Sequence, residues 1–260
     1  MQTGDSDDSI KQVADLIIQS TRIVVFTGAG ISTESGIPDF RGPNGLWTKY
    51  DPEEFTIQKF LSSAENRRKQ WKILAEGGLT TNVEPNAAHY AIAEMERLGK
   101  LDCVITQNVD NLHLRAGNST QKVFELHGNM QRVRCLGCGN LFPMESMIKR
   151  LKTEEMPDCS NCGGILKPDA VLFGEALPQL VLEAAVRHSR NSDLFIVIGS
   201  TLVVYPAAYM PVYALESAAS LVIINMGSTP LDSRAKVLIK DSAGETMLKV
   251  VDAVKNILMA

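Results

Sequence analysis

Residues 22–41 read Arg22-Ile-Val-Val-Phe-Thr-Gly-Ala-Gly-Ile-Ser-Thr-Glu-Ser-Gly-Ile-Pro-Asp-Phe-Arg41. The stretch opens with a short apolar run, Ile23 to Phe26, punctuated at once by glycine. Such a run reads as a parallel strand buried on both faces. Gly28 and Gly30 carry no Cβ, so the backbone can turn sharply there and approach a ligand closely. N–H groups freed at such a turn make a pocket for phosphate oxygens. Up to Gly30 the pattern could open any nucleotide-binding α/β fold. Ser32, Ser35 and Gly36 follow, then Pro38-Asp39-Phe40-Arg41. That sets a rigid ring, a carboxylate, an aromatic and a guanidinium beside the turn.

Further strand-like runs lie at 101–105, 123–126, 194–198, 221–224 and 236–239. Helical patterns fall between them. Ile10, Val13, Ala14, Ile17 and Ile18 share one face ahead of the first strand. Asn86 caps a helix that ends before Gly99. One helix spans about 178–190, and another takes Pro206 as its first residue. The last presents Met247, Val250, Val251, Val254, Ile257 and Leu258 on one side. This alternation predicts an α/β fold with a doubly wound parallel sheet. Ligands of such sheets bind beyond the carboxyl ends of the strands. The polar clusters at 27–41, 106–113, 127–129, 199–201 and 225–227 all follow strand ends, so the fold gathers them at one crevice.

Composition bounds the partners. The chain has 260 residues, 45% of them hydrophobic and 22% charged, which is ordinary for a globular domain with an insertion. A net charge of -4 offers no overall basic field for nucleic acid. No apolar run is long enough to span a bilayer; the longest, Val203 to Leu215, is broken by Pro206 and Pro211. Met1 to Ser9 is polar and acidic, unlike a signal or transit peptide. These features predict a cytoplasmic protein. Five cysteines in such a chain point to metal or chemistry before disulfides.

Cys135-Leu-Gly-Cys138 and Cys159-Ser-Asn-Cys162 make two knuckles separated by twenty residues. That spacing matches a four-cysteine zinc ribbon, in which four thiolates close the tetrahedron and leave no open position. Chance pairing or a redox couple is the competing reading. Cys103, mid-strand, reads as a small buried apolar residue. The glycine turn alone is weak, since position 33 is Thr and no acidic residue ends a second strand about twenty residues on, as a dehydrogenase requires. His127 follows a strand end, where an imidazole serves equally as a general base or as a structural group. Gln107, Asn108 and Asp110 form another strand-end cluster, with Asn108 suited to cap a helix and Asp110 to its first turn. His89 and His113 suit core or capping roles, and His188 a solvated one.

In order, the chain carries Gly-Ala-Gly-Ile-Ser (28–32), Gly-Ile-Pro-Asp-Phe-Arg (36–41), Thr-Gln-Asn-Val-Asp-Asn-Leu-His (106–113), Leu-His-Gly (126–128), the two cysteine knuckles and Phe-Gly-Glu (173–175). The segment 199–206 and Asn225 complete the set. This combination closely resembles the sirtuins, the NAD-dependent protein deacylases, from about residue 10 to 257. The resemblance implies a Rossmann-like large domain (1–42, 80–130 and 167–260). It also implies a small domain made of a helical insertion (43–79) and a zinc-binding insertion (131–166). NAD would be a co-substrate and one zinc ion structural. Gly28, Ala29 and Gly30 would contact the phosphates, while Asp39, Phe40 and Arg41 form a cofactor loop with Phe40 shielding the ribose. Gln107, Asn108 and Asp110 would line the nicotinamide-ribose pocket, Asp110 on the carboxamide. Gly199, Ser200 and Asn225 would hold the adenosine half. Val171, Leu172, Phe173 and Gly174 on one side, and Leu202 to Val204 on the other, with Val203 between, would sandwich an acetyl-lysine peptide or protein segment as an added strand. The implied catalytic residues are His127, as general base on the ribose hydroxyls, and Asn108. The products are free lysine, nicotinamide and O-acetyl-ADP-ribose.

Two departures from the family pattern bear on substrate. Gly199-Ser200-Thr201 stands where Gly-Thr-Ser or Gly-Ser-Ser is usual, and hydroxyls remain at both positions. The run Arg67 to Leu74 lacks the Tyr-x-x-Arg pair by which succinyl- and malonyl-lysine enzymes hold the acyl carboxylate, so acetyl and other uncharged acyl groups are expected. Mono-ADP-ribosyl transfer to protein, or a non-catalytic NAD and peptide sensor, are the alternative functions.

Overall fold

The computed structural model describes residues 3–76 and 83–259. Helix α1 (Thr3–Gln19) leads into strand β1 (Ile23–Thr27), and a 3-10 turn over Ala29–Ser35 follows the glycines. Two helices, α2 (Ile57–Ser62) and α3 (Ala64–Ala75), come next, then α4 (Ala87–Arg97), β2 (Cys103–Thr106), α5 (Leu112–Ala116) and β3 (Val123–Glu125). Strands β4 (Gly128–Cys135) and β5 (Leu141–Pro143), helix α6 (Met144–Arg150) and strand β6 (Leu166–Ala170) occupy the cysteine-rich stretch. Helix α7 (Gln179–Asn191), β7 (Leu194–Ile198), α8 (Met210–Glu216), β8 (Ser220–Ile224), β9 (Val237–Ile239) and α9 (Ala243–Met259) complete the fold.

Six strands form a sheet in the order β3-β2-β1-β7-β8-β9. Every pairing in it is parallel. Strand order reverses direction between β1 and β7, which makes their carboxyl ends the switch point where a crevice opens. The apolar runs are continuous because both faces are covered. Ile23 and Val25 of β1 face a core shared with α1, α4 and α9. Val24 and Phe26 face the other core, built with α7 and α8. The doubly wound parallel sheet expected from the sequence is therefore present.

A second, antiparallel sheet has the order β5-β4-β6. Its apolar cluster joins Val133, Met144, Met147 and Leu166 to Trp71 of α3, so two stretches far apart in sequence share one core. Strand β4 starts at Gly128 and β6 runs to Ala170, so this sheet extends past the expected limits of 131 and 166. The expected boundary between 79 and 80 lies outside the described residues.

Local differences from the sequence reading have plain causes. Asn108 does not cap α5. Asn111 holds that position with φ 67°, and Asp110 bonds the Leu112 N–H from outside the helix. Pro206 follows a cis peptide and precedes a short 3-10 turn, so α8 starts at Met210 with Pro211 in its first turn. His188 is not merely solvated: its Nδ1 lies 2.6 Å from Asp102 Oδ2, and its ring rests on Phe124 at 5.0 Å. Asn86 does cap α4, with His89 returning a bond to the Asn86 N–H. Cys103 is fully buried.

His89 and His113 are buried with ring centroids 5.0 Å apart, and His89 Nε2 and His113 Nδ1 have no partner. Burial pushes the His89 imidazole down to about 4 and His113 well below its ordinary value. The unfolded chain therefore binds protons that the folded chain refuses. The stability from His89 is complete above pH 6.5 and is lost as pH falls toward 4, a change of roughly 3 kcal/mol. Urea unfolding followed from about pH 7 to pH 5 should show a slope from both imidazoles, and His89→Gln should reduce it while leaving the share of His113.

Candidate active site

A cleft of about 860 Å³ opens at the switch point, between the carboxyl ends of β1 and β7 and the antiparallel sheet. That volume lies in the upper range of small-molecule sites. The loop after β1 and the loop after β7 meet at its floor. Gly28 N–H donates to Ile198 O at 3.1 Å and Gly30 N–H to Gly199 O at 2.8 Å. A Cβ on Gly30 would sit 2.8 Å from Gly199, and one on Gly199, whose φ is +63°, would sit 2.2 Å from Ile31 N. The glycines thus serve the close approach of two strand ends, and their N–H groups are already bonded. Ala29, between them, lines the cleft.

The loop after β2 packs its polar side chains against this floor. Gln107 Nε2 donates to Ser200 Oγ at 2.8 Å, tying β2 to the end of β7. Asn108 Nδ2 donates to Gly28 O at 3.2 Å and Ser32 Oγ at 3.1 Å. Ser32 Oγ donates to Asp110 Oδ2 at 2.7 Å. Burial holds the Asp110 carboxyl above its ordinary value, against the pull of the Leu112 N–H and the Ser32 hydroxyl. Asn108 and Asp110 are both buried at the cleft wall.

His127 Nδ1 lies 2.9 Å from the Gln107 carbonyl oxygen. A carbonyl can only accept, so Nδ1 carries the proton and Nε2 keeps its lone pair. Burial lowers the imidazole's proton affinity and the Gln107 carbonyl raises it, with burial dominant. A neutral imidazole with a free Nε2 is the form a general base needs. Gly128, with φ +75°, turns the chain directly after it; a Cβ there would meet Asp169 O at 2.0 Å.

The remaining expected residues fall around the same space. Asp39 folds its loop by accepting the Gly42 N–H at 2.7 Å. Phe40 is 37% exposed and stacks on Trp47 at 5.2 Å. Arg41 lines the cleft, as do Gly199, Ser200 and Asn225 on the β7 and β8 side. Asn225 Nδ2 donates to Gly227 O at 2.8 Å. Val171, Leu172, Phe173 and Gly174 form the facing wall. Val203 is 46% exposed and lies outside the lining, where Val204 takes its place.

The Sir2 family model matches residues 28–206. A NAD-dependent protein deacylase of Archaeoglobus fulgidus is 44% identical over 252 residues, covering 96% of this chain and 98% of its own. The chain belongs to the Sir2 family. A NAD-dependent protein deacetylase of Sulfurisphaera tokodaii is 42% identical, covering 94% and 96%. Among solved structures, one from a study of the mechanism and regulation of Sir2 enzymes superposes with a TM-score of 0.87 at 45% identity, covering 96% of this chain and 99% of its own. A Sir2 complex with a p53 peptide and NAD+ gives 0.85 at 40% identity, covering 94% and 97%.

Sir2 membership leaves several site residues that the sequence reading did not assign. Ser32 bridges Asn108 and Asp110; a small polar residue two places past Gly30 was its only signal. Trp47 contacts Phe40, Phe55 and Phe173, each with ring centroids within 6 Å. Its contacts come from three separate segments, and no local pattern reports that. Ile73 and Leu74 of α3 also reach the cleft.

The four knuckle cysteines of this Sir2 protein converge away from the cleft. Their sulfurs all lie within 4.8 Å of one another. Cys135 and Cys162 sulfurs are 3.5 Å apart, and those of Cys138 and Cys159 3.8 Å. Disulfides need about 2.05 Å. Tetrahedral Zn–S bonds of about 2.3 Å set sulfurs about 3.8 Å apart, so the donor set fits one zinc ion. The N–H groups of Gly137 and Cys138 point at Cys135 Sγ, at 3.3 and 3.4 Å. The bond from Cys138 leads in lowering the Cys135 thiol to about 6. Metal removal by chelation, or Cys138→Ser, should raise hydrogen exchange across β4, β5 and α6 while β1 and β7 stay protected. Loss of protection spread evenly over both sheets would contradict a structural role confined to the ribbon.

Proposed function

We propose that this protein is an NAD-dependent protein-lysine deacetylase. The observation that carries the reading is the His127–Gln107 contact, which fixes a neutral imidazole with Nε2 free beside a cleft of dinucleotide size. NAD supplies the electrophilic ribose carbon and the hydroxyls that accept the acyl group. An acetyl-lysine segment would lie between Val171–Gly174 and Leu202–Val204, adding a strand. His127 would take the proton from a ribose hydroxyl, and Asn108 would orient the ribose while tied to Gly28 and Ser32. Asp110, kept in place by Ser32, suits the amide of the departing nicotinamide. Gln107 is offered for the nicotinamide-ribose pocket beside Asn108, Gly199, Ser200 and Asn225 for the adenosine side, and Ala29 for the phosphates. Phe40, packed on Trp47, would keep water from a cation-like ribose, with Asp39 and Arg41 beside it in the cofactor loop. Products are free lysine, nicotinamide and O-acetyl-ADP-ribose.

The division into a large domain (1–42, 80–130, 167–260) and a small one (43–79, 131–166) is supported by the shared core around Trp71. Among the described residues no helix is long and apolar enough to cross a membrane. A cytoplasmic setting fits cysteines that stay reduced and gather for metal. No contact with nucleic acid is proposed, given the acidic balance.

Incubation with NAD and an acetyl-lysine peptide should release nicotinamide only when the peptide is present, with O-acetyl-ADP-ribose visible by mass spectrometry. Label from NAD left on protein would favour ADP-ribosyl transfer, and no NAD turnover a binding role. His127→Ala should lower kcat about 10²–10⁴-fold with the fold retained. Because burial lowers the His127 pKa below 6.5 in the free enzyme, wild-type kcat/KM should be flat above that pH and fall only on acidification below it. A midpoint above pH 7 would remove His127 as the base.

A further inference from the structure

The cleft wall at 171–174 has little regular ladder to hold it. Val171 N–H donates to His127 O at 2.8 Å. Phe173 N–H donates to Phe55 O at 3.0 Å, and Phe173 O accepts the Ile57 N–H at 2.9 Å. Directly after these anchors Gly174, with φ +76°, folds the chain back on itself. The fold-back brings Glu175 Oε2 to the Leu172 N–H at 2.9 Å. The same oxygen lies 3.1 Å from Lys167 Nζ.

Lys167 is the unusual member. Its side chain is 4% exposed, and a buried ammonium persists only when it is paired and hydrogen-bonded. Nζ donates to Pro168 O at 3.0 Å and to Ala170 O at 2.6 Å, besides pairing with Glu175. One cation therefore gathers the carbonyls on the near side of Val171 and the carboxylate that holds Leu172. Lys167 also lies on β6, opposite Arg134 of β4, so the clamp begins inside the antiparallel sheet. Lys167 does not line the cleft.

We infer that Lys167 and Glu175 form a buried clamp that sets the path of the strand on which the acyl-lysine peptide docks, making both positioning residues for that substrate. The inference rests on the deacetylase reading for the identity of the peptide. Main-chain bonds hold the docking strand at His127, at Phe55–Ile57 and from the Glu175 N–H to Leu172 O at 3.0 Å, and they leave the Leu172 N–H to the Glu175 carboxylate. The clamp fixes the intervening amides before the peptide arrives, which reduces the ordering cost of binding. The NAD side, built from the ends of β1, β2 and β7, shares none of these bonds.

Lys167→Met, Glu175→Gln and the double variant test this in the zinc-loaded full chain. Each single variant should raise the KM for an acetyl-lysine peptide about tenfold with kcat within about twofold, the pattern of lost uniform binding. The double variant should be no worse than the poorer single. The Kd for ADP-ribose and the zinc content should match wild type. Glu175→Gln keeps an acceptor for the Leu172 N–H, so it remains informative where Lys167→Met fails to fold. Unchanged KM in the folded variants would overturn the clamp, as would a parallel loss of ADP-ribose binding. A rise confined to Glu175→Gln would mean direct contact with the peptide and also overturn it. Wild-type protein that binds the peptide without turning it over would defeat the deacetylase reading alone, and the clamp would then be judged on peptide Kd. Wild-type protein that does not bind the peptide would defeat both.

Discussion

The constraint on which the site depends is the contact between the ends of β1 and β7. Backbone meets backbone there, with Gly28 and Gly30 against Gly199 and no room for a side-chain carbon. Two parallel strands whose following loops leave in opposite directions open a crevice. Here the glycines let that crevice be floored by main chain instead of side chains. Everything else at the site is hung from this floor. Gln107 reaches Ser200, Asn108 reaches Gly28, and Ser32 joins Asp110, so three loops become one polar surface.

That surface also sets the electrostatics. His127 is neutral because burial outweighs its one carbonyl bond, and its tautomer is chosen by the Gln107 carbonyl. Asp110 keeps a raised carboxyl because the loss of solvent outweighs the hydrogen bonds it accepts. Behind them, the Thr27 hydroxyl donates to Thr106 Oγ1 at 2.8 Å and lies 2.9 Å from His113 Nε2, extending the polar network behind the site. Electrostatic work at a site of this kind rests on groups held still before substrate arrives.

Much of this was legible in the sequence because the informative residues are local. Ile23 to Phe26 and Leu194 to Ile198 are apolar without interruption, and both became central strands. The cysteine spacing announced a tetrahedral sulfur set, and the sulfurs do converge. Asn86 and Gly99 punctuated α4 as their side chain and φ allow. What stayed hidden depends on contacts between distant segments. The start of α5 moved because Asn111 takes a left-handed conformation, which its sequence neighbours do not signal. His188 found Asp102 across 86 positions. Nothing in the local sequence gives Phe40 and Phe173 a shared partner, yet both lean on Trp47. The burial of Lys167 has no sequence signal, because burial of a charge is invisible until its acceptors are placed around it.

The chain holds two tryptophans, and the fold has separated them by environment. Trp47 sits at the cleft against Phe40 and Phe173, while Trp71 is 1% exposed in the core cluster that also holds Cys135 and Cys159. Intrinsic fluorescence is therefore a two-channel signal in this protein. The indole at the cleft reports on ligand and loop, and the buried indole reports on the integrity of the ribbon. Replacing either one with phenylalanine leaves a single-site optical probe for the other.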